Sequence, residues 1–315
     1  MGDRIAIGVD VGGTKILAVI YSEREGILLE EQISADRYAT PEVTLTEVAS
    51  LIRNIMERAG VTTEGIAGVG VGVPGLVSPE RIFIDSIILP TWVSVNVGLW
   101  LSEALRVRVI VDNDATMAAI GQWSLYPRSS VRTLLCLTLG TGVGAAAIVN
   151  DKVLRGPDGT AGQLGHITVD LSGRHCSCGS TGCLNAYVSG TAIGERYLEH
   201  LARSNTAVAI TDTAVSGRYV SNAAQEGDAV ALEVIEETSL YLGAGLASLV
   251  NIFNPDIIVI CGGVSELGES LLGPARIVMN GRAFRSPARR VRVDPGRFGY
   301  ATGAVGAAIA VWSHM

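Results

Sequence analysis

The sequence predicts a mixed α/β protein of two lobes with a cleft between them. Three observations carry that expectation. The chain has 315 residues, room for two domains at roughly 150 residues each. Short apolar strands alternate with amphipathic helices along much of it, the pattern of α/β folds. A strand, a Gly-rich hairpin and a second strand occur near residue 5 and again near residue 133. Two such halves can hold a phosphate chain between their hairpins, because glycine permits close backbone approach and lets amide groups point at phosphate oxygens.

The elements follow in order. Ile5–Asp10, Ile16–Tyr21 and Ile27–Ile33 read as strands, with Gly12-Gly13-Thr14 leaving only a tight hairpin between the first two. Thr40 is the expected N-cap of a helix opened by Pro41, kept in helical spacing by Val48, Leu51, Ile52, Ile55 and Met56 and ended by Gly60. A buried strand, Ile66–Val73, stops at Pro74-Gly75, and a helix near Leu99–Leu105 leads to a strand at Val107–Val111. A helix through Met117, Ala118, Ile120 and Gly121 precedes strands at Thr133–Leu139 and Val143–Val149, joined by Gly140-Thr141-Gly142. Asp228–Phe253 reads as a long helix ended by Asn254-Pro255, and Ile257–Cys261 as a fully apolar strand before Gly262-Gly263. A small-residue helix from about Gly303 to Trp312 closes the chain. The expected division is a first lobe of residues 1–112, with the helix of 303–315 packing back on it, and a second lobe of 113–302.

Composition excludes several classes. Apolar residues make up 48% and charged residues 17%, the opposite of a disordered chain. No apolar run reaches the ~18 residues of a membrane span, and the first ten residues lack the apolar core of a signal peptide. A cytoplasmic protein with no membrane partner is expected. With 24 basic and 31 acidic residues the net charge is −7, which argues against a nucleic-acid partner. Only Lys15 and Lys152 are lysines and the other 22 basic residues are arginines, a bias that a GC-rich genome explains without function. The basic stretch Arg282, Arg285, Arg289, Arg290, Arg292 and Arg297 reads as a solvated face or a subunit contact. Of five cysteines, Cys136 and Cys261 lie in buried strands, while Cys176, Cys178 and Cys183 crowd into eight residues. An odd number so clustered is a poor disulfide framework and a good metal site.

Asp10-Val11-Gly12-Gly13-Thr14-Lys15 combines a carboxylate at a strand end with two glycines, a hydroxyl and a cation. A nucleotide site needs this mix: Asp10 to hold hydrated magnesium, Gly12, Gly13 and Thr14 to bind phosphate, Lys15 to supply charge. An ordinary hairpin would also accept a lysine, but one of the two lysines in the chain stands here. Gly140-Thr141-Gly142 has the position of an opposite jaw. Gly262-Gly263 would let a nucleotide approach the backbone, although a plain strand-to-helix turn fits it equally well. Asp114 follows a strand and opens a helix, so capping the helix and accepting a proton are both open to it.

Taken together, the two phosphate loops, the Asn113-Asp114-Ala115 step and the Gly262-Gly263 turn resemble the actin/hexokinase/Hsp70 ATPase superfamily. The segment Gly162-Gln163-Leu164-Gly165-His166, followed by Cys176-Ser177-Cys178-Gly179 and Gly182-Cys183-Leu184-Asn185, is similar to the ROK family of repressors, open reading frames and kinases. The resemblance covers essentially the whole chain. It implies an actin-like, ribonuclease H-like fold with a zinc-binding loop, and ATP-dependent phosphorylation of a sugar-like substrate by a homodimer or homotetramer. It makes Asp114 the catalytic base and Asn113 a partner of a sugar hydroxyl, within a substrate set of Gly75, Asn113, Asp114, Gln163, His166 and Asn185. His166, Cys176, Cys178 and Cys183 become the ligands of a structural zinc, with His175 a bystander. One imidazole and three thiolates are a complete tetrahedral set with no open position for a catalytic water.

Departures bear on the substrate. Glucose-phosphorylating relatives carry glutamates where this chain has Gln163 and Asn185, and many have an asparagine where Ile88 stands. Neutral amides both donate and accept, which suits a carbonyl or a changed stereocentre better than carboxylates do. The expected acceptor is therefore an aminosugar or a carbocyclic analogue such as a cyclitol, with an ordinary glucokinase as the alternative. The family's regulators carry a DNA-binding helix-turn-helix ahead of the first loop, and nine residues precede Asp10 here, too few for one. A catalytically silent sugar sensor is the further alternative, against which Asp10, Thr14 and Asp114 weigh.

Overall fold

The computed structural model describes residues 3–78, 80–203 and 215–313. Contacts divide the chain into two compact units, Met1–Ser129 with Ala146–Gly162 and Tyr300–Met315, and Ser130–Ala145 with Gln163–Gly299. The boundary thus falls at 129, not at the expected 112, because the helix following residue 113 packs on the C-terminal helix and the first sheet. Residues 146–162 also return to the first unit, where Arg128 pairs with Asp151 at 2.8 Å.

The first unit holds β1 (Ile5–Val11), β2 (Lys15–Ser22), β3 (Gly26–Ser34), β4 (Val69–Val73), the small hairpin β5 (Leu76–Val77) and β6 (Phe83–Asp85), and β7 (Val109–Asn113). Its main sheet is ordered β3-β2-β1-β4-β7, antiparallel through the first three strands and parallel from β1 to β7. The helices are α1 (Pro41–Ala59), α2 (Val97–Leu105) and α3 (Asp114–Trp123). α1 buries Leu45, Val48, Ile52 and Ile55 against Ile7, Val9, Ile16 and Ile20 of the sheet. Gly60 ends it at a left-handed φ of 65°, with its N–H on the Glu57 carbonyl. Thr40 starts it without a side-chain cap bond, since Pro41 already fixes the first helical φ. The fourth expected strand, Ile66–Val73, is shorter in the structure, because Thr63–Gly65 forms a 3₁₀ turn just before it.

The second sheet is ordered β10-β9-β8-β11-β12, built from β8 (Thr133–Leu139), β9 (Val143–Val149), β10 (Lys152–Val153), β11 (Ile257–Cys261) and β12 (Arg292–Pro295). The helices here are α4 (Asn185–Val188), α5 (Gly190–Arg203), α6 (Gly217–Gln225), α7 (Ala229–Phe253), α8 (Glu269–Arg282) and α9 (Arg285–Arg290). Asp228 caps α7 through the Ala231 N–H at 2.8 Å, and Asn254 ends it at φ 45°. β8, β9 and β11 match the expected strands residue for residue. Cys136 and Cys261 are buried on β8 and β11 with sulfurs 3.8 Å apart, unbonded.

α10 (Thr302–Ala310) closes the fold of the first unit. It lies on β1 and β4 so closely that a Cβ on Gly8 or Gly70 would sit 1.8 Å from the Ala304 or Ala307 carbonyl oxygen. Only glycine on the strands and small residues on the helix allow that approach. The consequence is positional: the N-terminus of α10 meets the end of β1, where Asp10 sits.

Candidate active site

The ends of β1 and β7 carry the two candidate carboxylates of the first unit. Asp10 is the penultimate residue of β1, just before the chain turns at Gly12-Gly13-Thr14, and its oxygens lie 2.6–3.1 Å from where a Cβ on Gly303 would be. Burial pushes Asp10 up to about 6, against the pull of Lys15. Asp114 is the first residue of α3. Burial and the Asp10 charge push it up to about 7, although hydrogen bonds from the Ala115 N–H and Asn113 hold it lower than burial alone would.

Capping of α3 falls to the neighbour. Asn113 accepts from the N–H groups of Ala115 and Thr116 at 3.0 and 3.1 Å and donates to the Gly75 carbonyl at 3.0 Å. The cap places Gly75, Asn113 and Asp114 together, with Asn113 also hydrogen-bonded to Asp114. Asp114 accepts from the Ala115 N–H at 2.7 Å and from Asn113, and a carboxylate with its two oxygens keeps further acceptor sites beyond these. β7 runs on to Asn113 and carries Asp112 into a buried position, 4% exposed. Arg81 and Arg155 reach it at 3.0 and 2.7 Å, and the Asn113 N–H donates to it at 2.8 Å. This ion triad, which pins the strand end next to Asn113, was not expected from the sequence. Arg155 is one arginine among 22, and nothing local sets it apart.

The two glycine loops share a hydrogen-bond plan. In each, the first glycine closes the hairpin through its own N–H, Gly12 to the Lys15 carbonyl and Gly140 to the Gly142 carbonyl, both at 2.9 Å. The next two N–H groups, of Gly13 and Thr14 and of Thr141 and Gly142, have no backbone partner among the described residues. Unpaired donors converging in a tight turn are an anion cradle. In the second loop every carbonyl is tied back: Gly140 by the Gly190 N–H at 2.7 Å, Thr141 by the Thr191 hydroxyl at 2.9 Å, Gly142 by Gly140 itself. Lys15 is exposed and lies 5.8 Å from the Tyr300 ring centroid. Gly262 adopts φ 86° and backs onto Leu139 beside the second loop, while Gly263 opens a 3₁₀ turn with free space over its Cα.

His166, Cys176, Cys178 and Cys183 bring one donor atom each to within 4.8 Å of one another. A tetrahedral zinc with bonds of about 2.3 Å to sulfur and about 2.0 Å to nitrogen has edges of about 3.8 and 3.5 Å. The Cys178–Cys183 and His166–Cys176 separations are 3.7 and 3.6 Å, so the donors fit one such ion through His166 Nδ1. Burial lowers His166, which favours the neutral, ligating imidazole. Burial and the adjoining sulfurs push Cys183 up to about 12, so three thiolates this close call for a cation. His175 instead meets the Thr181 hydroxyl at 3.3 Å.

The two amides differ. Gln163 is exposed at the head of the Leu164–His166 turn, and its side chain makes no hydrogen bond among the described residues. Asn185 is engaged at both ends. Its Oδ1 accepts from the Val143 N–H at 2.8 Å, and its Nδ2 donates to Cys176 Sγ at 3.5 Å.

The chain is similar to known proteins along most of its length. A glucokinase of Halalkalibacterium halodurans is 32% identical over 281 residues, spanning 88% of this chain and 85% of that protein. A xylose repressor of Bacillus spizizenii is 26% identical over 312 residues, spanning 98% of this chain and 77% of that protein. The crystal structure of a ROK family glucokinase from Streptomyces griseus in complex with glucose and AMPPNP superposes with a TM-score of 0.84 at 30% identity, covering 96% of this chain and 98% of that one. The profile of the ROK family matches residues 6–313, and the chain belongs to the ROK family.

Proposed function

We propose that this protein is an ATP-dependent kinase that phosphorylates the primary hydroxymethyl group of a hexose-like sugar. The observation that carries the reading is the division of labour at the head of α3. Asn113 takes the capping role, and Asp114 keeps a carboxylate held near neutrality, at about 7. A general base works best when its pKa lies close to the working pH. Asp114 accepts the proton of the sugar hydroxyl while that oxygen forms its bond to the γ-phosphorus. The bond from phosphorus to the β–γ bridging oxygen breaks, and ADP departs with the electron pair. The N–H groups of Gly13, Thr14, Thr141 and Gly142 are suited to the phosphate oxygens, with Lys15 adding positive charge and Gly262-Gly263 giving room for the nucleoside. Asp10 would hold hydrated magnesium, which neutralises charge on the phosphates when bound. Gly75, Asn113, His166 and Gln163 would orient the sugar. The cysteine cluster with His166 would hold a structural zinc that fixes the loop bearing His166.

For the acceptor we propose a modified hexose, an aminosugar or a cyclitol, in preference to glucose. Gln163 supports this, because an unspent amide can donate to a group that a carboxylate would only accept from. Two further readings have specific support. The glucokinase relatives favour glucose itself, and the xylose repressor relatives favour a sugar sensor without catalysis. ADP release measured across a panel of sugars, aminosugars and cyclitols tests all three. Turnover with any of them supports a kinase, and saturable sugar binding without ADP release supports a sensor.

A further inference from the structure

We infer that Asn185 is a positioning residue that couples the metal site to the second glycine loop, so that an intact Cys/His cluster sets the loop to receive phosphate. The inference rests on the kinase reading for the loop's role and on the zinc fit for the cluster.

The two ends of this side chain meet an N–H that needs an acceptor and a sulfur that needs a donor, which an asparagine serves together. The Val143 N–H, the first donor after Gly142, needs an acceptor, and Asn185 Oδ1 supplies it at 2.8 Å. Cys176 Sγ, as a thiolate, needs a donor, and Asn185 Nδ2 supplies it at 3.5 Å, a normal reach for N–H to sulfur. An aspartate, with the same reach, would satisfy the loop but offer no proton to the sulfur, and would set a second negative charge beside it. A hydrocarbon would satisfy neither. Gly142 is close on the same side, its would-be Cβ only 3.3 Å from Oδ1.

The rest of the loop is held from α5, through Gly190 and Thr191. Asn185 is the contact that enters from the cluster. It stands two residues after the ligand Cys183 and opens α4, so displacement of the ligand strand is passed directly to the side chain. Partners of metal ligands are worth about 10- to 100-fold in metal affinity or activity when removed, and here the same partner also fixes a loop amide.

The test uses the full chain and two readouts that need no turnover: zinc release to a chromogenic chelator, and hydrogen exchange at the Val143 amide, with Leu137 of β8 as the internal reference. In the wild type, stripping zinc should speed exchange at Val143 about tenfold and leave Leu137 unchanged. Asn185→Asp keeps the acceptor and loses the donor. It should release zinc about tenfold faster while Val143 exchange and the KM for ATP stay within about twofold of wild type. Asn185→Leu loses both, and should also raise Val143 exchange and the KM for ATP about tenfold with the sugar KM unchanged. Unchanged Val143 exchange on zinc removal would overturn the coupling, as would equal acceleration at Leu137. A raised sugar KM in both variants, with zinc release and exchange unaltered, would make Asn185 a substrate contact instead. If neither variant folds, the wild-type comparison with and without zinc decides alone. Should no sugar release ADP, the kinase reading fails while the zinc and exchange results stand.

Discussion

Asp114 holds its proton far above the ordinary carboxylate value of 3.8, at about 7, because it is buried and faces the charge of Asp10. That has consequences for activity and for stability, with opposite signs. In the proposed role of base it must be ionised, so kcat should fall as pH drops below about 7. For stability, the folded state binds a proton that the unfolded chain has already released between 3.8 and 7. Unfolding therefore becomes easier as pH rises through that window, and the full cost is present above 7. Asp114→Asn removes the ionisable group while keeping its shape. Turnover should fall by about 10²–10⁴-fold with ATP and sugar binding retained. At pH 8 the same variant should melt higher than wild type, by about 2–4 °C for each kcal/mol of charge burial relieved, and the gain should vanish near pH 4. Paired steady-state kinetics and melting curves across pH check both. Near-normal turnover would remove Asp114 from the role of base.

Elements make these residues possible, and two of them carry sharp expectations. The N-terminus of α10 reaches Asp10 because residue 303 has no side chain, and a Cβ there would lie 2.6 Å from the Asp10 carboxylate. Gly303→Ala should leave the fold intact by circular dichroism yet push Asp10 out of place. Misplacement of this size can cost on the order of 100-fold in rate. The loss should appear as lower kcat/KM for ATP and a higher magnesium requirement, with the sugar KM little changed. The cysteine knuckle between His166 and α4 is the second. About one equivalent of zinc should copurify by elemental analysis, and Cys178→Ser should lose metal, thermal stability and sugar affinity together, because His166 sits on the same turn as Gln163. Full activity from a metal-free preparation would show the cluster to be dispensable. Strands ending in glycine loops were legible in the sequence, since a contiguous apolar run followed by Gly-Thr-Gly needs no partner to be recognised. Helices α5, α6, α8 and α9 were not. α8 carries Pro274 within it, and α5 begins directly at Gly190 behind the second loop, so local punctuation argues against helices that packing on α7 stabilises.

At the scale of the whole molecule, each unit carries its own share of the candidate residues, and the second also holds the two departures. The first unit has Asp10, Asn113 and Asp114, with Asn113 bonded to the Gly75 carbonyl and Asp114 to the Ala115 N–H. The second has the cluster, the second loop and the two amides that stand where glutamates are expected. From sequence alone Gln163 and Asn185 were equivalent, because tertiary partners are invisible in a linear motif. In the structure they part. Asn185 is spent on Val143 and Cys176, whereas Gln163 is exposed and unspent. Selectivity should therefore follow Gln163. A site whose polar groups go unpaired with the wrong ligand discriminates by as much as about 10⁴-fold, but a single exposed amide commands less, on the order of tenfold. Competition kinetics with glucose, aminosugars and cyclitols should rank glucose below a modified hexose by kcat/KM. Gln163→Glu should raise glucose kcat/KM about tenfold and lower that of the preferred acceptor. Asn185→Glu should help neither, since Asn185 is engaged with the Val143 N–H and Cys176. Glucose as the best substrate of the wild type would end the modified-sugar proposal. A gain for glucose from Asn185→Glu alone would return that position to the substrate.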